Sequence, residues 1–515
     1  MPRLTARPTG APLLTRHRIA WLLRVNRIYA RDPRWAKGAV FAGAFSGGSW
    51  TGEVSTSTIS RWETGATRAG RPAVRRYEQL LGLPPGRLTA TADNLHRYAM
   101  PSAGAVPLLA RPAGDPGAAE RQVDVLLDRA LDDTPVTGGE WDELTVLLTT
   151  HPQLRLRSRD WTALAERLLT ESLVSDGLAW QQRHEALHRL LGHPTGQVAA
   201  VSACIAWAAD AGNQVFLETV CLLDASAHRD AAVGVLAQLA APTNDSAFLG
   251  ALLACVRKVH LGHFDGTQAA VLRRLVRQVA HDADRQRADE RELAVVLLRM
   301  LDGGAPSLPD LTTVPGFDLA ARVTDSALSV IAREIPRFDD PVLPVLVREV
   351  LLHPVSDVRL YSALTIRATP YREPVSGALS RELSRVAVAR DVRLAERLLE
   401  ALRVIGGSSE RPLVQRLALA PALPEAVVQA ATSALAHMGG ASPRSFWENV
   451  LALRPGAGRP RGAGGRAAGA AVYGLGIIGE TGLLRRVAAE PRIPSATRAA
   501  ASWWLRLPAR ARALV

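Results

Sequence analysis

Apolar positions recur at helical spacing along most of the chain. From Thr15 to Ala30, Ile19, Leu22 and Leu23 share one helical face while Arg18, Arg24 and Arg27 spread around the others, and Asp32-Pro33 marks a stop. In the run from Val54 to Gly65, Ser55 stands where an N-cap hydroxyl belongs, Ile59 and Trp62 lie three apart on one face, and Gly65 ends the helix. The opposite side carries Thr56, Ser57, Ser60 and Arg61, short hydrogen-bonding groups and one guanidinium suited to base edges and phosphates. A further helix opens at Pro72, shows Val74, Tyr77, Leu80 and Leu81 as its stripe, and closes at Gly82. Between the first two segments, Phe41 to Phe45 is followed by eight loop-like residues, Ser46 to Glu53.

Residues 91–120 are rich in Pro, Gly and Ala and read as a linker that lets the head move relative to the body. Beyond them a motif recurs: Ala401-Leu402 with Ile405-Gly406, Ala434-Leu435 with Met438-Gly439, and Gly474-Leu475 with Ile478-Gly479, after a weaker copy at Ala363-Leu364. The leucines are 38, 33 and 40 residues apart, the period of a helix pair that needs neighbours to cover its apolar face. Trp503 and Trp504 are expected to close the last pair. Residues 456–471 are Gly-rich and basic (Arg459, Arg461, Arg466) but lack the ending of a phosphate-binding loop, and read as a flexible insertion. The pattern predicts an all-α protein.

Composition sharpens this picture. Hydrophobic content of 47% excludes disorder throughout, and aromatic content of 5% favours helices over sheets. The whole chain carries 62 basic and 49 acidic residues, but the first hundred alone hold sixteen basic residues against five acids, a charge of +11. Positions 101–515 are nearly neutral at +2. Charge concentrated in this way is most easily understood if a polyanion neutralises it. Only Lys37 and Lys258 are lysines; the arginine bias extends into the neutral tail and fits a GC-rich genome as well as a phosphate-binding role. Cys204, Cys221 and Cys255 form no CxxC and no disulfide framework, and no signal peptide or spanning stretch is apparent, so a cytoplasmic, nucleoid-associated location without membrane contact is expected.

The run from Ser55 to Gly65, with the helix ending Leu80-Leu81-Gly82-Leu83, resembles the helix-turn-helix of Cro/C1-type (XRE-family) regulators over residues 15–90. The resemblance implies that the serine starts a recognition helix, that Thr56, Ser57, Ser60 and Arg61 face DNA, and that Ile59, Trp62 and Glu63 hold the helix in place, Glu63 pairing with an arginine of the first helix. Ser55, Thr58, Arg68 and Arg71 complete the candidate DNA-contacting set. The departure from the family is the long connection before Ser55. The later period, with the runs 353–364 and 389–402, resembles HEAT-like repeats. Together these imply a helix-turn-helix domain at 1–90, the linker at 91–120 and an α-solenoid at 121–515. The implied function is a sequence-specific transcriptional regulator bound to double-stranded DNA as a homodimer. The solenoid would serve dimerisation, a protein partner or a small-molecule effector, with no cofactor and no catalysis.

Other classes compete. A protein-interaction scaffold would bind no DNA, and a DNA-clamping repair protein would need basic inner helices. His184-Glu185-Ala186-Leu187-His188 is a formal HExxH, the zinc-peptidase motif. Polar residues precede it, no third ligand is identifiable, and Leu187, Leu190 and Leu191 form the core stripe of a repeat helix with the histidines on its flank. His260 and His263 lack any clustered ligand partner and read as solvated or capping residues.

Overall fold

Local helical propensity is satisfied along the chain, and tertiary burial decides which faces are covered. A computed structural model describes residues 15–48, 50–99, 116–151, 153–215, 219–281, 288–303, 311, 314, 316–331, 340–389, 391–452, 463–512 and 514. Among them are twenty-seven α-helices, two short 3-10 helices and no strand. None of these helices is long and apolar enough to cross a membrane. The helices cluster into two units, one of residues 1–98, 310–353 and 357–505, the other of 99–309, 354–356 and 506–515.

The first unit begins with five helices: α1 (Thr15–Ile28), α2 (Gly38–Gly43), α3 (Thr56–Thr64), α4 (Arg71–Leu81) and α5 (Arg87–Ala99). α3 starts and stops as its sequence dictates. Ser55 accepts the amide of Thr58 at 3.2 Å, and Gly65 takes φ +75°, a left-handed conformation that an L side chain resists. Gly82 ends α4 in the same way at φ +62°. The stripe of α4 is shifted from its expected place: Ala73, Val74, Tyr77 and Glu78 are buried, whereas Leu80 and Leu81 are half-buried. Glu78 is buried because its carboxylate caps α5, accepting the amides of Gly86, Leu88 and Thr89.

α1 departs most from the expected one-sided stripe, for Ile19, Trp21, Leu22, Leu23 and Val25 are all buried. A helix buried all round has neighbours on every side. One side meets α3 and α4; another meets helices more than three hundred residues later. Arg18 Nη1 donates to Glu349 at 2.7 Å and to Ser362 at 3.2 Å, and Asn26 Nδ2 donates to the Ala368 carbonyl at 3.1 Å. The Trp21 ring lies parallel to Tyr371, centroids 5.7 Å apart, while its indole N–H donates to the Asp340 carboxylate at 2.8–2.9 Å. Arg87 donates to the Arg367 carbonyl and Arg97 to the Tyr361 hydroxyl. The chain is therefore partitioned differently from the expected head, linker and body, because the head shares a unit with the later helices. Of the expected linker, 91–99 continues α5, 100–115 lies outside the described residues, and 116–120 opens the helix Pro116–Leu131.

Asp340 also accepts the amides of Val342 and Leu343. Replacing it by alanine is expected to cost about 2 kcal/mol, the magnitude of hydrogen bonds to a buried charged acceptor. Urea unfolding followed by tryptophan fluorescence reads this directly, and an unchanged midpoint would show that the indole contact holds nothing.

The later helices of this unit succeed one another as packed neighbours. Val392–Ile405 lies against Arg372–Ala389 and Glu425–Leu435, and the latter lies against Arg411–Ala418 and Ala463–Ile477. Leu364, Leu402, Leu435, Leu475, Ile405 and Met438 are buried at the recurring positions, but Ile478 is 39% exposed. There Ile477, the final residue of its helix, takes the buried place. Gly406 is needed for close approach, not for left-handed backbone: a Cβ there would lie 2.4 Å from the Leu402 carbonyl oxygen. Of the expected flexible insertion, 456–462 lies outside the described residues, whereas 463–471 is the start of an Ala-rich helix. Trp503 and Trp504 are buried, with Trp504 set against Gly476.

The second unit is organised round buried guanidinium knots. Arg167 donates to the carbonyls of Arg129, Ala130, Asp132 and Thr134 and pairs with Glu171, which also accepts from Trp141 and Arg183. The first unit repeats the device, with Arg411 reaching the carbonyls of Leu435 and Met438, and Arg372 those of Ile405 and Gly406. Carbonyls at helix ends lack intrahelical donors, and a planar fork with five N–H groups satisfies several at once.

Candidate nucleic-acid interface

The apolar rear of α3 fixes the orientation of its polar front. Ile59 is buried, and Glu63 is 5% exposed and pairs with Arg27 of α1 through two bonds of 2.6 and 2.7 Å. Arg27 further donates to the carbonyls of Trp35 and Ala36, and Tyr77 of α4 donates to Glu63 at 3.0 Å. One ion pair thus joins α1, α3, α4 and the turn before α2, as expected for Glu63. Burial alone would lower the Arg27 pKa, but Glu63 beside it leaves it raised.

Ser55, Thr56, Ser57 and Arg61 are exposed, while Thr58 and Ser60 are half-buried. Ser55 Oγ lies 2.8 Å from Ser57 Oγ and 2.9 Å from Thr58 Oγ1, and Arg61 donates to Thr58 at 3.4 Å. The hydroxyls form one connected, outward-facing group. Trp62 is half-buried, its ring 5.5 Å from Phe45 and 6.0 Å from Trp50. These rings, with Arg76 donating to the carbonyls of Ala44, Phe45 and Ser46, pin the long connection to the side of α3.

The cationic set is smaller than the composition implies. Arg68 is exposed, but Arg71 is buried and bonded to Asp93 of α5. It stands on the first turn of α4, where the backbone directs it onto the neighbouring helix, so its place in the candidate set is corrected to a structural one. Arg18, Arg27, Arg76, Arg87 and Arg97 are likewise engaged within the protein. Exposed charge remains at Arg16, Arg31, Lys37, Arg61 and Arg68, while exposed Arg34 pairs with Asp32. Burial, with Arg68 nearby, holds His96 down to about 4, so it adds no charge at neutral pH.

Two residues emerge that sequence reasoning did not assign. Lys37 precedes α2, whose first residue Gly38 has its Cβ position 3.5 Å from Thr56, so Lys37 adjoins the start of α3. The Arg16 carbonyl lies 3.3 Å from the Cβ position of Gly65, at the other end of α3. Only their charge marked them, and every arginine in the segment shares that mark.

In the second unit, the helix Gly177–Leu191 carries His184 and His188 buried, not on an open flank. Among the described residues no group of three or more His, Cys, Asp or Glu is placed to hold a metal ion. His260 is exposed, and burial holds half-buried His263 down to about 4. Cys204 and Cys255 are buried, their thiols pushed up by desolvation, Cys204 to about 12. No family model, curated protein or solved structure matches the chain.

Proposed function

We propose that the protein is a sequence-specific transcriptional regulator that inserts α3 into the major groove of double-stranded DNA. The observation that carries this reading is the exposed front of Ser55, Thr56, Ser57 and Arg61 on a helix whose rear is locked by Ile59 and by the Arg27–Glu63 pair. Thr56, Ser57 and Arg61 reach base edges, Lys37, Arg16 and Arg68 contact backbone phosphates, and Ser60 and Thr58 orient their neighbours. The resemblance of residues 15–90 to a Cro/C1-type domain, and of the runs 353–364 and 389–402 to HEAT-like repeats, supports the same assignment. The repeat helices provide homodimerisation and the surface for a protein or small-molecule effector, and the location is the cytoplasmic nucleoid. Because α1 is clamped by residues 340–371, spacing between two heads is set by the repeats and not by a linker. Half-sites then fall about 34 Å apart or at multiples of that distance.

Replacing Arg61 by alanine is expected to weaken binding to a selected site by about 1–3 kcal/mol and to relax preference at one base pair. Lys37→Ala should weaken all sequences alike and lower the salt slope by about one. Arg71→Ala should act on folding, not on salt dependence. Selection from random duplexes followed by salt-titrated anisotropy separates these behaviours, and equal binding of every duplex by wild type and Arg61→Ala removes the sequence-reading role.

A further inference from the structure

His184 and His188 form a feature for which DNA binding has no use. They lie one turn apart, 4% and 6% exposed, with Nε2 atoms 3.1 Å from each other. Two imidazole nitrogens each about 2.0–2.1 Å from a zinc-class ion stand this far apart when the angle at the metal is about 100°, inside the tetrahedral range. The other nitrogen of His188 faces a carboxylate that lies beyond hydrogen-bond distance. Asp224, in the turn Leu223–Ala225, brings Oδ1 to 3.9 Å from His188 Nδ1, the side from which a carboxylate orients a metal-bound histidine. His184 is stacked on Trp180 at 4.8 Å, which fixes its ring and places a fluorophore beside the pair.

We propose that His184 and His188 bind one divalent transition-metal ion through their Nε2 atoms, with Asp224 as the residue that positions His188. Imidazole pairs suit zinc, nickel and copper in preference to calcium or magnesium. With two protein ligands, water supplies the remaining coordination, and the ion joins the helix Gly177–Leu191 to the turn at Leu223–Ala225. Lys258 lies close to Asp224 and donates to the Ser226 carbonyl at 2.6 Å. The site is a binding site, and no peptidase chemistry is assigned to Glu185. It stands independently of the DNA reading.

The full-length protein, stripped by chelator and dialysed, should bind one Co²⁺ per chain, seen as visible d–d absorption and quenching of tryptophan emission, with displacement by Zn²⁺. The double substitution His184→Asn and His188→Asn should abolish the absorption, and Asp224→Asn should weaken binding about 10–100-fold. Far-UV circular dichroism checks that the variants stay folded. Failure of the wild-type chain to take up cobalt or zinc at micromolar concentration overturns the proposal whatever the variants do. Equal uptake by a folded double variant overturns it too, because the ion then sits on other histidines.

Discussion

Replacing Arg27 by methionine should destabilise the first unit by about 3–5 kcal/mol, the loss typical of breaking one side of a buried ion pair. The methylene stem is preserved, so the deficit arises from polar groups: the Glu63 carboxylate keeps only the Tyr77 hydroxyl, and the carbonyls of Trp35 and Ala36 lose their donor. The residue is only 7% exposed, which leaves little water to replace the guanidinium. Since domains are stable by roughly 5–15 kcal/mol, this is a large fraction of the whole. The double variant Arg27→Met with Glu63→Leu should recover part of the loss, since no charge is then stranded. Urea denaturation of both variants provides the check, and a deficit below about 1 kcal/mol for Arg27→Met would show that α3 is held by apolar contacts alone.

The second large effect lies in the repeats. Gly476→Ala should cost about 1–3 kcal/mol or more through overpacking, because the added carbon would fall 2.1 Å from two atoms of the Trp504 ring. An indole cannot fold aside as a flexible chain end would, and Trp504 is 2% exposed. Gly474→Ala meets the same difficulty at 2.6 Å from Trp447. Near-ultraviolet circular dichroism and the urea midpoint should both change for Gly476→Ala. An unchanged spectrum would mean that the final helices yield without strain.

Much of the local structure was legible in the sequence. The capped helix from Thr56 to Thr64, its glycine stop, the Glu63 pairing and the buried leucines at 402, 435 and 475 depend on neighbours within one or two turns or on a repeated period. What escaped depends on distant partners. Trp21 looks like a residue off the main stripe of α1 until Asp340 and Tyr371 cover it. Arg68 and Arg71 are alike as letters, and only the presence of Asp93 beside α4 turns one inward. The interval from Gly474 to Gly479 misled by one residue, Ile477 being buried where Ile478 was expected. The arginine excess, read as genomic bias or as nucleic-acid affinity, has a further use in clasping helix-end carbonyls at Arg76, Arg167, Arg372 and Arg411.

The clamp between α1 and the later helices has a consequence for synthesis. Trp21 and its partner Asp340 are separated by 319 positions. At about 5–20 residues per second, the ribosome takes roughly 15–65 s to deliver the second after the first. Throughout that interval the outer side of α1, with its indole, has no native cover, so the nascent chain presents a sticky amphipathic segment long before it can bury it. Factors that shield emerging polypeptides have their natural target there, since this helix waits for much of the chain to be made before it reaches its final surroundings.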